Sequence, residues 1–79
     1  MESQITYFVE VLESLLNDLN SKSKEELEKI IKKLQIQELN QSDLIKIQED
    51  LEQFTVMYKM DSYTRTEIMN IITELEQIM

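Results

Sequence analysis

Residues 39–58 read LNQSDLIKIQEDLEQFTVMY, and the pattern within them decides the fold. Asn40 has the side chain of a helix N-cap, Asp43 stands near the positive end of the helix dipole, and Leu39 is placed to staple onto Leu44. From Leu44 the apolar residues Ile47, Leu51, Phe54 and Tyr58 follow at spacings of three and four, one stripe along a helix. The segment predicts a helix over 41–59 with a single buried face.

Working outward, the same logic recurs. Ile5, Phe8, Leu12, Leu15 and Leu19 form a stripe widened by Val9 and Leu16, which predicts a helix over 3–19. Asn20 is expected to end it in the left-handed conformation that glycine usually supplies. Ser23 with Glu26 reads as a capping box that opens a second helix over 24–37. Its buried stripe is Leu27, Ile30, Ile31 and Leu34, and Glu25 to Lys29 and Glu28 to Lys32 are i,i+4 pairs in the favourable order. Downstream, Thr64 with Glu67 reads as another capping box, with Tyr63 and Ile68 as its staple. The helix it opens, over 65–78, points Ile68, Ile71, Ile72, Leu75, Ile78 and Met79 inward. Nothing between Gln35 and Leu39 enforces a break by glycine or proline, so a continuous helix through Asn40 is the competing arrangement.

Composition supports the helical reading. The 79 residues contain no glycine and no proline, whereas ordinary usage of roughly 7% and 5% would supply about nine. Strands, bulges and tight hairpins depend on those residues. The expected fold is therefore all-α: a small four-helix bundle built from two antiparallel helical hairpins, one domain over 1–79. Residues 1–39 and 40–79 each read as a long helix, a polar turn and a shorter helix, the pattern of a duplicated hairpin.

Charge narrows the partners. Sixteen acidic residues against eight basic ones leave a net charge of −8, which repels nucleic acid and anionic membranes. The cations are clustered: Lys22, Lys24, Lys29, Lys32 and Lys33 form a basic strip suited to the molecule's own acidic helices or to a second copy, hence a homodimer. No stretch approaches the ~18 apolar residues of a membrane span, and no secretion signal is visible. Together with the absence of cysteine, this leads us to expect a soluble, cytoplasmic protein.

No catalytic constellation is visible. Histidine, the commonest general acid or base, is missing, as is cysteine. Glu49, Asp50 and Glu52 flank the core positions Leu51 and Phe54 and so are expected to face solvent. A di-iron bundle would need Glu-x-x-His motifs, and Asp61 with Ser62 is too small an oxygen cluster for calcium or magnesium. The expectation is no enzyme, no cofactor, no metal and no catalytic residue.

What remains is interaction. Ile45 and Val56 lie eleven residues apart, three helical turns, and share a line with Glu49 and Glu52 on the face away from Leu44 and Leu51. The order apolar, acidic, acidic, apolar suits a protein partner carrying a basic and apolar helix. Met57, Met60 and Tyr63 lie beside this line, at the turn into the last helix, and methionine and tyrosine favour adaptable binding surfaces. These seven residues are the candidate partner site.

The run Asn40, Leu44, Gln48, Leu51, Phe54, Thr55, Ser62, followed by an apolar helix, resembles the helical-hairpin needle subunits of type III secretion systems. The spacing is free of gaps from Glu26 onward, although such subunits usually carry a proline-containing turn where this chain has Glu38 to Ser42. The resemblance implies a filament subunit that polymerises through its C-terminal helix. Two function classes result: a small regulatory binding protein of the inhibitor, adaptor or immunity type, and a self-assembling structural subunit.

Overall fold

The computed structural model describes residues 2–36 and 38–79, with Glu2 and Ser3 described by backbone alone. These residues form four α-helices and no strand: α1 Glu2–Leu15, α2 Ser21–Leu34, α3 Gln41–Met57 and α4 Ser62–Ile78. A short 3-10 turn, Leu16–Asp18, tightens the end of α1. The four helices are the ones expected, but two of them begin a turn earlier.

The reason is the cap. Asn20, not Ser23, opens α2: its backbone is extended (φ −73°, ψ 170°) and its side-chain oxygen accepts the Ser23 N–H at 3.0 Å. The expected left-handed Asn20 is thereby corrected, and no described residue has a positive φ. In the same way Asp61, not Thr64, opens α4, its Oδ1 accepting the Thr64 N–H at 2.8 Å. An asparagine or aspartate three residues upstream is at least as good a cap as serine or threonine. Using it also adds a helical turn that carries Ser23 and Thr64 into the interior, where both are buried. The staple expected of Tyr63 is lost with the shift: Tyr63 lies inside α4 and is exposed, while Met60 packs against the core instead.

At Asn40 the expectation stands. Asn40 Oδ1 accepts the Asp43 N–H at 2.9 Å, and Asp43 Oδ2 accepts the Asn40 N–H at 3.1 Å, a complete capping box. Leu39 packs against the core that Leu44 belongs to. The break before it is also present. Helix α2 ends at Leu34, where the Gln35 N–H is shared between the Ile31 and Lys32 carbonyls. The expected extension of α2 to Gln37 stops short, and Gln37 itself lies outside the described residues. Helices α2 and α3 are therefore separate.

Each helix packs on its neighbour in the chain, and α4 closes against α1. Cross-links show the directions. The Gln48 amide donates to the Ile72 carbonyl at 3.2 Å and the Arg65 guanidinium to the Thr55 carbonyl at 2.7 Å, so α3 and α4 run antiparallel. Lys33 meets Asp50 at 2.8 Å while Glu26 shares a groove with Met57 and Tyr58, which makes α2 and α3 antiparallel too. The result is one bundle, 30 × 19 × 18 Å. At about 1.5 Å per residue, α3 and α4 each span most of its long axis.

One continuous core holds the bundle. Leu12 from α1, Leu27 from α2, Leu51 from α3 and Ile68 and Leu75 from α4 are completely buried within it. Ile5, Leu16, Leu19, Tyr58, Ile78 and Met79 pack around its edges, and the Phe54 and Tyr58 rings approach to 5.2 Å.

Truncation of Leu12, Leu51 or Leu75 to alanine is expected to cost roughly 2–5 kcal/mol each, a large share of what a domain this size can hold. Asn40→Ala should cost about 1 kcal/mol through loss of the cap. Thermal or urea unfolding checks both, and a cap variant as damaging as the core variants would contradict this ordering.

Candidate protein-binding site

Along α3 the inward stripe leaves a complementary outward one. Ile45, Glu49, Glu52 and Val56 are all exposed, Val56 at 83%. The α-helical period alone places them on one line, and α3 is unbroken through it. The line borders the seam with α4. Gln48 and Thr55, which meet α4 at Ile72 and Arg65, stand one turn to either side of Glu52.

Met69 joins this surface, and the sequence reading did not include it. On α4 it falls between Arg65 and Ile72, at the i+4 and i−3 positions that share their side of the helix, and it is half exposed. Its position on the α3 side of α4, between the Gln48–Ile72 and Thr55–Arg65 bonds, follows only from the antiparallel pairing of the two helices, a long-range fact with no signal in local periodicity. The Arg65 guanidinium is occupied by the Thr55 carbonyl. The surface therefore presents three apolar side chains, Ile45, Val56 and Met69, around the carboxylates of Glu49 and Glu52.

The corner residues divide. Tyr63 is exposed on the first turn of α4, Met60 is partly buried against the core, and Met57 turns toward α2. Met57 is 68% exposed at the lip of a groove of about 200 Å³ floored by Ile30 and Phe54 and edged by Lys29, Lys33 and Asp50. So the seven candidate residues form no single patch: four make the α3 line, and Met57, Met60 and Tyr63 take three different surroundings.

The basic strip is partly committed. Lys33 reaches Asp50 on α3, so Asp50 is held by a lysine rather than left to solvent as the sequence reading had it. Lys29 pairs with Glu26 at 3.2 Å instead of the Glu25 expected, and the Glu26 carboxylate holds its ammonium above the usual lysine value. The expected Glu28 to Lys32 bridge does not form. Lys22, Lys24 and Lys32 are exposed.

A second groove, of about 380 Å³, lies between α1 and α4 and is lined by Gln4, Tyr7, Phe8, Glu74, Gln77 and Ile78. Among the described residues no three histidine, cysteine, aspartate or glutamate side chains gather as a metal site would require, and no helix is long and apolar enough to cross a membrane. No protein family matches the chain, and neither does a curated protein or a solved structure.

Asp61 gives this end of the bundle a pH dependence. The Thr64 N–H, donated to Asp61 Oδ1 at 2.8 Å, holds its carboxyl below the usual carboxylate range. With the folded value below the unfolded one, the stabilisation is fully present above about pH 4 and is lost as pH falls through the folded value. Asp61→Asn retains an acceptor but cannot titrate. The melting-temperature gap between wild type and this variant should favour wild type at neutral pH and narrow steadily below about pH 4, as thermal melts across that range will show.

Proposed function

We propose that this chain is a small, acidic, non-enzymatic protein–protein interaction module. Its role is that of an inhibitor, adaptor or immunity-type regulatory protein in the cytoplasm, where a chain without cysteine has no need of an oxidising environment. The observation that carries the reading is the outward line of α3, Ile45, Glu49, Glu52 and Val56. Four exposed side chains alternate no polar helix surface of the ordinary kind but bracket two acids with two aliphatic groups. A partner helix with basic residues between apolar ones fits that order. The acids would steer the encounter, and the apolar ends, with Met69 alongside, would supply area removed from water. Tyr63 and Met57 are exposed at the turn end of the bundle but lie apart from this line.

The alternative, a self-assembling structural subunit joined through its C-terminal helix, has less support. Ile68, Ile71, Ile72 and Leu75 of α4 are buried in the molecule's own core. A polymer built on that face would require the bundle to open.

The test is a double charge reversal, Glu49→Lys with Glu52→Lys. Both side chains are exposed, so helical content and melting temperature should change little. Capture of partner proteins from the native host, identified by mass spectrometry, should weaken at least tenfold in affinity, equivalent to about 1.4 kcal/mol. The loss should fall mainly on the association rate and fade with added salt. Capture that persists unchanged at low salt would remove the α3 line from consideration.

A further inference from the structure

Helix α2 carries an outward line of its own. Glu25, Lys29, Lys32 and Ile36 are all exposed, Ile36 at 57% just beyond the last turn, where its N–H still bonds back to the Lys33 carbonyl at 3.4 Å. Taken from Ile36 backward, the steps are four, three and four residues, and the order is apolar, basic, basic, acidic. The α3 line, taken from Ile45 forward, has the same steps and reads apolar, acidic, acidic, apolar. Two helices laid antiparallel along these lines oppose Ile36 to Ile45, Lys32 to Glu49, and Lys29 to Glu52.

Within one copy the two lines do not face each other. Helices α2 and α3 are already packed side by side through Lys33 and Asp50. On α2, Lys29 stands at the edge of their groove, exposed and paired with Glu26, while Lys32 and Ile36 are exposed, and the α3 line borders the seam with α4. A second copy can bring them together. We infer that the basic and apolar helix that fits the α3 line is α2 of another copy of this chain, docked antiparallel.

Charge selects this contact. Helix α2 has five lysines against three glutamates, whereas the rest of the chain has three cations against thirteen acids. Copies repel one another over most of their surface, and α2 is the helix whose approach to an acidic face is attractive. The fourth position, Glu25 opposite Val56, adds nothing, and exposed ion pairs are individually weak. Association is therefore weak and concentration-dependent, and it needs enough salt to screen the long-range repulsion without losing the close pairs. Because each copy carries both lines, the contact closes as a two-fold dimer where the same two copies exchange α2 and α3, and runs head-to-tail into a ring or a growing chain where they do not.

This inference rests on the α3 line being a binding surface, and a charge exchange separates the two. Sedimentation equilibrium at physiological salt, from the micromolar to the millimolar range, should show wild-type mass rising above the 9.5 kDa of one chain. The acid-reversed variant (Glu49→Lys with Glu52→Lys) and the base-reversed variant (Lys29→Glu with Lys32→Glu) should each remain single chains, since each then opposes like charges. An equimolar mixture should associate again, because α2 of either variant now complements α3 of the other. Far-ultraviolet circular dichroism establishes that both variants are folded, and the glutamine versions of the same four positions, with reduced association, serve if a reversal unfolds. Wild type that stays at single-chain mass throughout overturns self-docking while leaving the α3 line open to a different protein. Association that survives either reversal in a folded variant, or a mixture that stays at single-chain mass, also overturns it.

Discussion

Three side-chain oxygens position the whole bundle. Those of Asn20, Asn40 and Asp61 each accept the backbone N–H three residues on, and each sits on an extended residue where the chain turns from one element into the next. Without glycine the chain has no inexpensive way to reverse at positive φ, and no described residue does so. Among the described residues the reversals are instead made at negative φ, by ending one helix and starting the next on a polar cap. The caps set the first residue of α2, α3 and α4. The first residue sets the rotation of the stripe, and the rotation decides which side chains enter the core.

Beneath two of these caps lies a buried hydroxyl. Ser23 and Thr64 occupy the third position of α2 and α4, and the Ser23 hydroxyl bonds back to the Asn20 side chain at 2.9 Å. The sequence from Asn20 to Ser23 thus has a counterpart in Asp61 to Thr64, in step with the matching stripes Leu27, Ile30, Ile31, Leu34 and Ile68, Ile71, Ile72, Leu75. Small side chains at these places let the ends of the helices approach the core closely. A leucine there would collide with it, and the cap and the packing around it therefore depend on each other.

The surface is organised by where the lysines fall. Lys33 binds α2 to α3 through Asp50, and the remaining cations of α2 face outward beside a body that is otherwise acidic. Such a distribution does little for stability, because exposed charges are screened. Its effect is on encounter: it makes one edge of the molecule attractive to acidic surfaces and the others attractive to basic ones. The two acids bracketed by aliphatic groups along α3 belong to the second kind.

The helical class, the four apolar stripes and the Asn40 N-cap follow from the amino-acid sequence alone, because helical period and cap chemistry are local properties, whereas the separation of α2 from α3 is settled by the structure. The outward α3 line is also legible there, since residues on one helix keep their angular relation in any fold. The starts of α2 and α4 were misplaced by a turn because serine or threonine followed by glutamate is as plausible a cap locally as the asparagine or aspartate upstream. Burial of Ser23 and Thr64 breaks the tie, and burial exists only once the helices have packed. Partner choice among charges also departs from the i,i+4 expectation: Lys29 pairs with Glu26 rather than Glu25, and Lys33 finds Asp50 seventeen residues away. The contact of Arg65 with Thr55 and the place of Met69 beside the α3 line are consequences of antiparallel pairing between helices. Tertiary structure alone decides these, because they join residues whose separation along the chain has no period.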